Sequence, residues 1–215
     1  LKSIESADQL TIQRIDQLAM PETFRSFIAV DLPNSVRLFL DEVQQNLKSY
    51  ELPIKWVRPQ NIHLTLKFLG DIETTQTAKI AAAMTLAAEN CTGVCLTAKD
   101  IGVFPDLKRP RVIWAGVKGQ LEMLENLQRT LDNHLVDIGF PKDHRIFRAH
   151  LTLGRVKGKI VSARMKTAID GLKSYESKPF EVDRIVLFKS ELRPAGAVYT
   201  RVQEALFSGH SETSY

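Results

Sequence analysis

The chain has 215 residues and a formal net charge of +4, from 29 Lys and Arg against 25 Asp and Glu. That length suits one large domain or two closely joined lobes burying about 70% of the unfolded surface, and so mild a charge permits an anionic partner without demanding one. Cys91 and Cys95 are too few for a disulfide scaffold and read as ordinary thiols; with no run near the roughly 20 apolar residues of a membrane helix and no secretion-type opening, the expected setting is cytoplasmic.

In chain order, residues 1–23 are polar and mixed, and Ile4, Leu10, Ile12, Ile15 and Leu18 allow a short amphipathic helix before Pro21. FRSFIAVDL at 24–32 reads as a strand. Val36, Phe39, Leu40, Val43 and Leu47 recur at helical spacing, which predicts a helix over 35–49 with Asn34 as its cap. IKWVRPQNIHLTLKFLG at 54–70 is a short extended piece, a turn around Pro59–Asn61, and a strand ended by Gly70 and Asp71. Residues 73–90 are Ala-rich and free of Gly and Pro, a good helix former. Strands follow at 94–104 and 111–117, joined by a basic loop carrying Lys108, Arg109 and Arg111. A third helix covers 120–137. A loop leads to a strand at 146–156, a fourth helix at 160–173, a strand at 180–192, an RPAG turn and a last strand at 197–207. Strands interleaved with helices in this order predict an α+β fold of two related lobes, each a sheet with helices on one side.

Two of those strands carry the same four letters: HLTL at 63–66 and again at 150–153. Alternate side chains on a strand share a face, roughly 6.6 Å apart. His63 and Thr65 therefore project together, as do His150 and Thr152, while the intervening leucines fix each strand in the core. If the lobes meet across a groove, two imidazoles and two hydroxyls flank one point. This arrangement suits in-line displacement at phosphorus. One imidazole takes a proton from the attacking oxygen and the other gives one to the leaving oxygen. A pKa near 6.5 makes both forms available around neutrality. Threonine hydroxyls can donate to the non-bridging oxygens. Such a mechanism needs no metal and no cofactor. Two histidines are also too few ligands for zinc, and HExxH, GxSxG and GxGxxG are all absent.

Among the cations, Lys67 shares the polar face of the first motif if that strand stays regular, and Arg58 stands where it can reach a ligand at the groove edge. Strict alternation turns Arg155 away from His150 and Thr152, unless Gly154 permits a bulge that re-aims it. Trp56 reads as core more readily than as a stacking platform. Basic loops at 108–111 and 144–148 can guide a polyanion, but mixed charge elsewhere gives no continuous stripe. That favours a short RNA end or a small nucleotide over a long duplex. His134, His144 and His210 receive no catalytic role.

The paired HLTL motifs, FRSFIAVDLP at 24–33, KWVRPQNIHLTLKFLG at 55–70 and PRVIWAGV at 110–117 together resemble the two-histidine phosphoesterases, and within them the RNA 2',3'-cyclic phosphodiesterases, also called 2'-5' RNA ligases. The resemblance covers roughly 24–207. It implies a bilobal fold, two pseudo-symmetric antiparallel-sheet lobes with helices outside and a central cleft. It divides the chain into an N-terminal extension (1–23), a single bilobal catalytic domain (24–207) and a C-terminal tail (208–215). The implied reaction is hydrolysis of an RNA 2',3'-cyclic phosphate to a 2'-phosphomonoester, reversible in principle as 2'-5' ligation. His63 then acts as general acid and His150 as general base, with Thr65, Thr152 and Arg155 on the phosphate. Arg155 matches the family's arginine by spacing. Ala149 departs from the proline that often precedes the second histidine. A small cyclic nucleotide or an ADP-ribose cyclic phosphate would use the same site, and a binding module without turnover would keep the threonines and cations. One chain carries both half-sites, so a monomer suffices.

Overall fold

The computed structural model describes residues 22–194 and 196–208. The N-terminal extension up to Pro21, in which the sequence allows a helix or a flexible arm alike, His210 and the tail beyond Ser208 lie outside the described residues. The elements are β1 (Thr23–Val30), α1 (Asn34–Lys48), β2 (Ile54–Trp56), β3 (Leu64–Glu73), α2 (Thr77–Ala88), β4 (Val94–Phe104), β5 (Val112–Gly119), α3 (Leu121–Asp137), β6 (His150–Val156), α4 (Ser162–Asp170), β7 (Phe180–Val182), β8 (Arg184–Arg193) and β9 (Gly196–Leu206). A short 3-10 turn at Pro59–Asn61 leads into β3.

The strands run in the order β7-β4-β5-β6-β3-β1-β8-β9, with β2 also paired to β6 and every pairing antiparallel. The two HLTL strands are the central neighbours. They touch through one registered pair, Leu64 opposite Leu151, and diverge on either side of it. That divergence splits the sheet into two lobes. The lobes are not the two halves of the chain: C-terminal β8 and β9 complete the lobe of the first motif, while β4 and β5 join the lobe of the second. Both leucines are fully buried, as their position behind the motif requires.

Helices cover the side away from the cleft. Leu124, Leu127, Leu131 and Leu135 of α3 are buried at helical spacing, and α2 packs on α3 and on β9. Gln44 of α1 reaches β6, where its Nε2 donates to the Leu153 carbonyl at 2.8 Å and to the Val57 carbonyl at 2.7 Å. Arg164 of α4 donates to the Tyr50 carbonyl at 2.7 Å, tying α4 to the end of α1.

Several boundaries differ from the sequence reading: β3 runs on through Gly70 and Asp71 to Glu73, and the helix expected over 160–173 spans Ser162–Asp170. Pro33, not Asn34, occupies the cap of α1, and no side chain caps that helix. The predicted strand at 146–156 begins only at His150, because the preceding segment is drawn along α3, where the Asp143 amide donates to Asp132 Oδ2 at 3.3 Å. The strand expected over 180–192 is two, broken at Asp183 between β7, which pairs with β4, and β8, which pairs with β1.

Candidate active site

Antiparallel neighbours share a face. Continuing the register from the Leu64–Leu151 pair sets His63 opposite Thr152 and Thr65 opposite His150. The four polar side chains of the two motifs therefore belong to the cleft side, where the two strands part from that pair. The two imidazoles are near enough that a charge on His150 opposes protonation of His63.

Both imidazoles are held in the same way. His63 Nδ1 lies 2.8 Å from the Asn61 carbonyl, and His150 Nδ1 lies 2.7 Å from the Arg148 carbonyl. A carbonyl can only accept, so each Nδ1 carries the proton and each neutral ring keeps a bare Nε2 for proton exchange.

Their surroundings differ. His63 is stacked on Phe27 at 4.5 Å between ring centroids, with Tyr199 edge-on at 5.3 Å. Phe27 rests in turn on Phe188 at 5.3 Å. Burial in this aromatic pocket lowers the His63 pKa from 6.5 to about 4; the Asn61 hydrogen bond and the Asp31 charge pull it back only in part. His150 meets a single ring, Phe104, edge-on at 5.1 Å. Burial also pushes the Tyr199 phenol upward, which keeps it a donor. Beside His63 opens a recess of about 310 Å3 lined in part by Asp31, Arg37, Asn61, Tyr199 and Arg201. Asp31 pairs with both Arg37 and Arg201 at its wall.

A bulge sits at the second leucine of each motif. In β3, Thr65 faces Ala29 while Lys67 faces Ile28, so Leu66 is the extra residue. In β6, Thr152 faces Trp114 while Gly154 faces Ile113, so Leu153 is extra. Each bulge carbonyl receives a glutamine from a helix: Gln44 reaches Leu153 at 2.8 Å and Gln128 reaches Leu66 at 3.5 Å. A bulge reverses the alternation beyond it, and it decides the fate of both cations.

Arg155 is returned to the cleft face, opposite Val112 on one side and Lys55 on the other, and its charge acts on Tyr199 across the cleft. Simple alternation, which turned Arg155 away, is corrected by the bulge. Lys67 is turned the other way. It is 5% exposed, paired with Asp132 of α3, and donates to the Pro141 carbonyl at 2.7 Å. The expectation that Lys67 faces a substrate is therefore wrong. Arg58 is exposed and packs near the β8–β9 turn, its Nε 3.9 Å from where a side chain on Gly196 would begin. Trp56 lies on the core side with Lys48 over its ring at 6.0 Å.

Sequence reasoning missed Phe27, Asp31, Phe188, Tyr199 and Arg201. Phe27 and Asp31 could have been found, because the alternation of FRSFIAVD puts them with Ala29 on one face. The residues of β8 and β9 carry no local signal, since only the long return of the chain brings them beside β1.

Comparison with known proteins agrees with this geometry. The profile of the LigT-like phosphoesterases matches twice, over residues 30–114 and 116–199, and each match contains one HxT pair. An RNA 2',3'-cyclic phosphodiesterase of Methanothermobacter thermautotrophicus is 35% identical over 179 residues, 83% of this chain and 96% of that protein. One of Aquifex aeolicus is 36% identical over 177 residues, 79% of this chain and 92% of that protein. Among solved structures, TT0787 of Thermus thermophilus superposes with a TM-score of 0.72 at 26% identity, over 87% of this chain and all of that one. E. coli LigT complexed with 3'-AMP superposes at 0.69 with 22% identity, over 87% of this chain and 99% of that one, a likeness of fold. With the family profile falling once on each histidine strand of a two-lobed sheet, this chain belongs to the LigT-like phosphoesterase family.

Proposed function

We propose that the chain hydrolyses RNA 2',3'-cyclic phosphate termini to 2'-phosphomonoesters by acid-base catalysis between His63 and His150, without a metal. The observation that carries this reading is the pair of imidazoles, near enough that the charge of one opposes that of the other, with both Nδ1 positions tied to carbonyls. The relatives named for this activity supply the substrate class.

His150 Nε2 accepts a proton from water as its oxygen attacks phosphorus. His63 Nε2 delivers a proton to the departing 3' oxygen. The low pKa of free His63 makes its imidazolium a strong acid, and the phosphodiester anion helps the ring acquire that proton on binding. Thr65, Thr152 and Arg155 hold the non-bridging oxygens, and Arg58 serves the cleft edge. Lys67 has no part in binding. With a 5' hydroxyl in place of water, the same groups carry a 2'-5' ligation: His150 takes the hydroxyl proton as its oxygen attacks the cyclic phosphate, and His63 protonates the departing 3' oxygen.

The test is incubation of the protein, with EDTA present, with a short RNA ending in a 2',3'-cyclic phosphate, followed by mass and phosphorus NMR of the product. A 2'-phosphate is expected, and none with His63→Ala or His150→Ala. A 3'-phosphate would overturn the assignment of the leaving oxygen, and turnover abolished by EDTA would overturn the metal-free mechanism.

A further inference from the structure

The recess beside His63 is built from one lobe only. Asp31, Arg37, Asn61, His63, Tyr199 and Arg201 line it, and among the described residues none from β4, β5 or β6 does. At about 310 Å3 it has room for a phosphate group, and no step of the hydrolysis uses it. Two guanidiniums stand at its wall against one carboxylate. Arg37 and Arg201 each give one Nη2 to a different oxygen of Asp31, which also accepts the Leu32 amide at 3.1 Å. A guanidinium offers several donors in a planar fork, so much of both forks is left over. Arg37 Nε is buried and, among the described residues, meets no acceptor. Glu204 comes within 4.0 Å of Arg201 but lies nearer to Arg184, at 3.3 Å. The wall therefore keeps positive charge in excess, with donors in the geometry that suits a phosphate.

The place of the recess beside the reacting bond decides what it can hold. His63 gives its proton to the 3' oxygen, so the 3' side of the ribose points toward it. From C3' the same sugar continues through C4' and C5' to the phosphodiester that joins the preceding nucleotide. That group is anionic, hangs a few bonds from the leaving oxygen, and falls on the His63 side of phosphorus. The attacking water enters from the His150 side. A cationic recess beside His63 thus meets a part of an RNA end that a cyclic mononucleotide, with its free 5' hydroxyl, does not have.

We propose that the recess holds the phosphodiester on the 5' side of the terminal nucleotide, with Arg201 and Arg37 as its cations. The proposal rests on the phosphodiesterase reading and narrows its substrate to the end of an RNA chain. Arg201 is the more accessible of the two, its side chain 56% exposed against 24% for Arg37, and meets the anion first. Asp31 holds both forks in place beforehand, so less side-chain freedom is lost on binding.

Calorimetry with two product analogues tests this without turnover. Adenosine 2',5'-bisphosphate carries a 5' phosphate in place of the upstream phosphodiester, and 2'-AMP lacks it. Wild type should bind the bisphosphate about tenfold more tightly, as a charge-assisted hydrogen bond provides. Arg201→Gln should bring that ratio down to about twofold or less. Arg129→Gln removes the same charge from an exposed position of α3, on the side away from the cleft, and should leave the ratio as in wild type. A wild-type ratio near one would overturn the proposal. So would an equal fall in both affinities with Arg201→Gln, which would make Arg201 a support of Asp31 and His63. An equal loss of the ratio in Arg129→Gln would also overturn it, by reducing the preference to a long-range effect of charge. A protein that binds the bisphosphate through Arg201 yet leaves RNA cyclic phosphate ends intact would sink the catalytic reading and spare this one.

Discussion

His63 lies flat on Phe27, ring centroids 4.5 Å apart and planes 23° from parallel. That stack takes water from the imidazole and disfavours its charged form, which is why its pKa falls to about 4. A histidine whose folded pKa lies below its unfolded value of about 6.5 binds its proton less readily in the native state. Its contribution to stability is complete above about pH 6.5 and lost as the pH falls toward 4. The loss is roughly 2–3 kcal/mol over that window. Urea denaturation at a series of pH values should show this slope, and His63→Gln should flatten it. Because His63 must carry its proton to act as the general acid, kcat/KM in wild type should decline as the pH rises above about 4, on an alkaline limb set by that ring. Phe27→Leu should move that limb upward toward 6.5, followed in parallel by the His63 ring signals in NMR. A limb unmoved by Phe27→Leu would mean that the stack does not set this pKa.

Lys67 and Asp132 join β3 to α3 as a buried pair, and the same two side chains anchor the segment that runs to His150. Lys67 holds the Pro141 carbonyl and Asp132 receives the Asp143 amide. Removing one partner of a buried pair strands the other, at about 3–5 kcal/mol. Lys67→Met should therefore lower the urea midpoint strongly, while Lys67→Met combined with Asp132→Leu should recover much of the loss. The KM for a cyclic phosphate substrate should stay within about threefold of wild type in the double variant. A rise of a hundredfold in KM in that stable protein would return Lys67 to the substrate.

Much of this site was legible because its two halves carry the same short word. HLTL fixes what faces the cleft and what faces the core, and an α+β reading followed from the alternation of strand and helix patterns. The fates of Lys67 and Arg155 were not legible by counting, since one extra residue at Leu66 and another at Leu153 reverse the parity beyond each motif. Gly154 hinted at the second bulge. Nothing local hinted at the first, where the chain reads LKF and a buried Asp132 on a distant helix makes the reversal favourable. The aromatic floor under His63 was hidden for a different reason. Phe188 and Tyr199 stand more than 120 positions away, on strands whose neighbours are set by topology rather than by pattern.

Gln44 is 1% exposed and satisfies the carbonyl of the bulged Leu153. Its amide also holds Val57, so one side chain ties α1 to both β6 and the approach to the first motif. Gln44→Leu leaves two buried carbonyls short of a donor, although the Val57 amide still reaches Leu153 at 2.9 Å. A loss of about 1–3 kcal/mol is expected by urea denaturation. Turnover at saturating substrate should fall less than KM rises, because the histidine mounts survive and only the bulge loosens. The opposite split would show that Gln44 supports the histidines instead.

The bulge at Leu153 makes Arg155 available, and Gly154 makes the bulge possible. A side-chain carbon at Gly154 would meet Ile54 Cγ2 at 2.5 Å, the Lys55 carbonyl at 3.2 Å and the Trp56 ring at 3.3 Å. The first contact forces β2 to give way, since Ile54 packs against the core. Gly154→Ala should therefore cost about 1–3 kcal/mol of stability and disturb the pairing that sets Lys55 beside Arg155. Arg155→Ala removes the cation without the clash. A charge-assisted hydrogen bond contributes about 1.5–3 kcal/mol, so kcat/KM for a cyclic phosphate should fall roughly 10- to 100-fold with the urea midpoint unchanged. Arg155→Lys keeps the charge but not the planar fork, and should recover only part of the loss. Wild-type kcat/KM in Arg155→Ala would mean that the threonines hold the phosphate unaided, and that the bulge serves the packing of β2 alone.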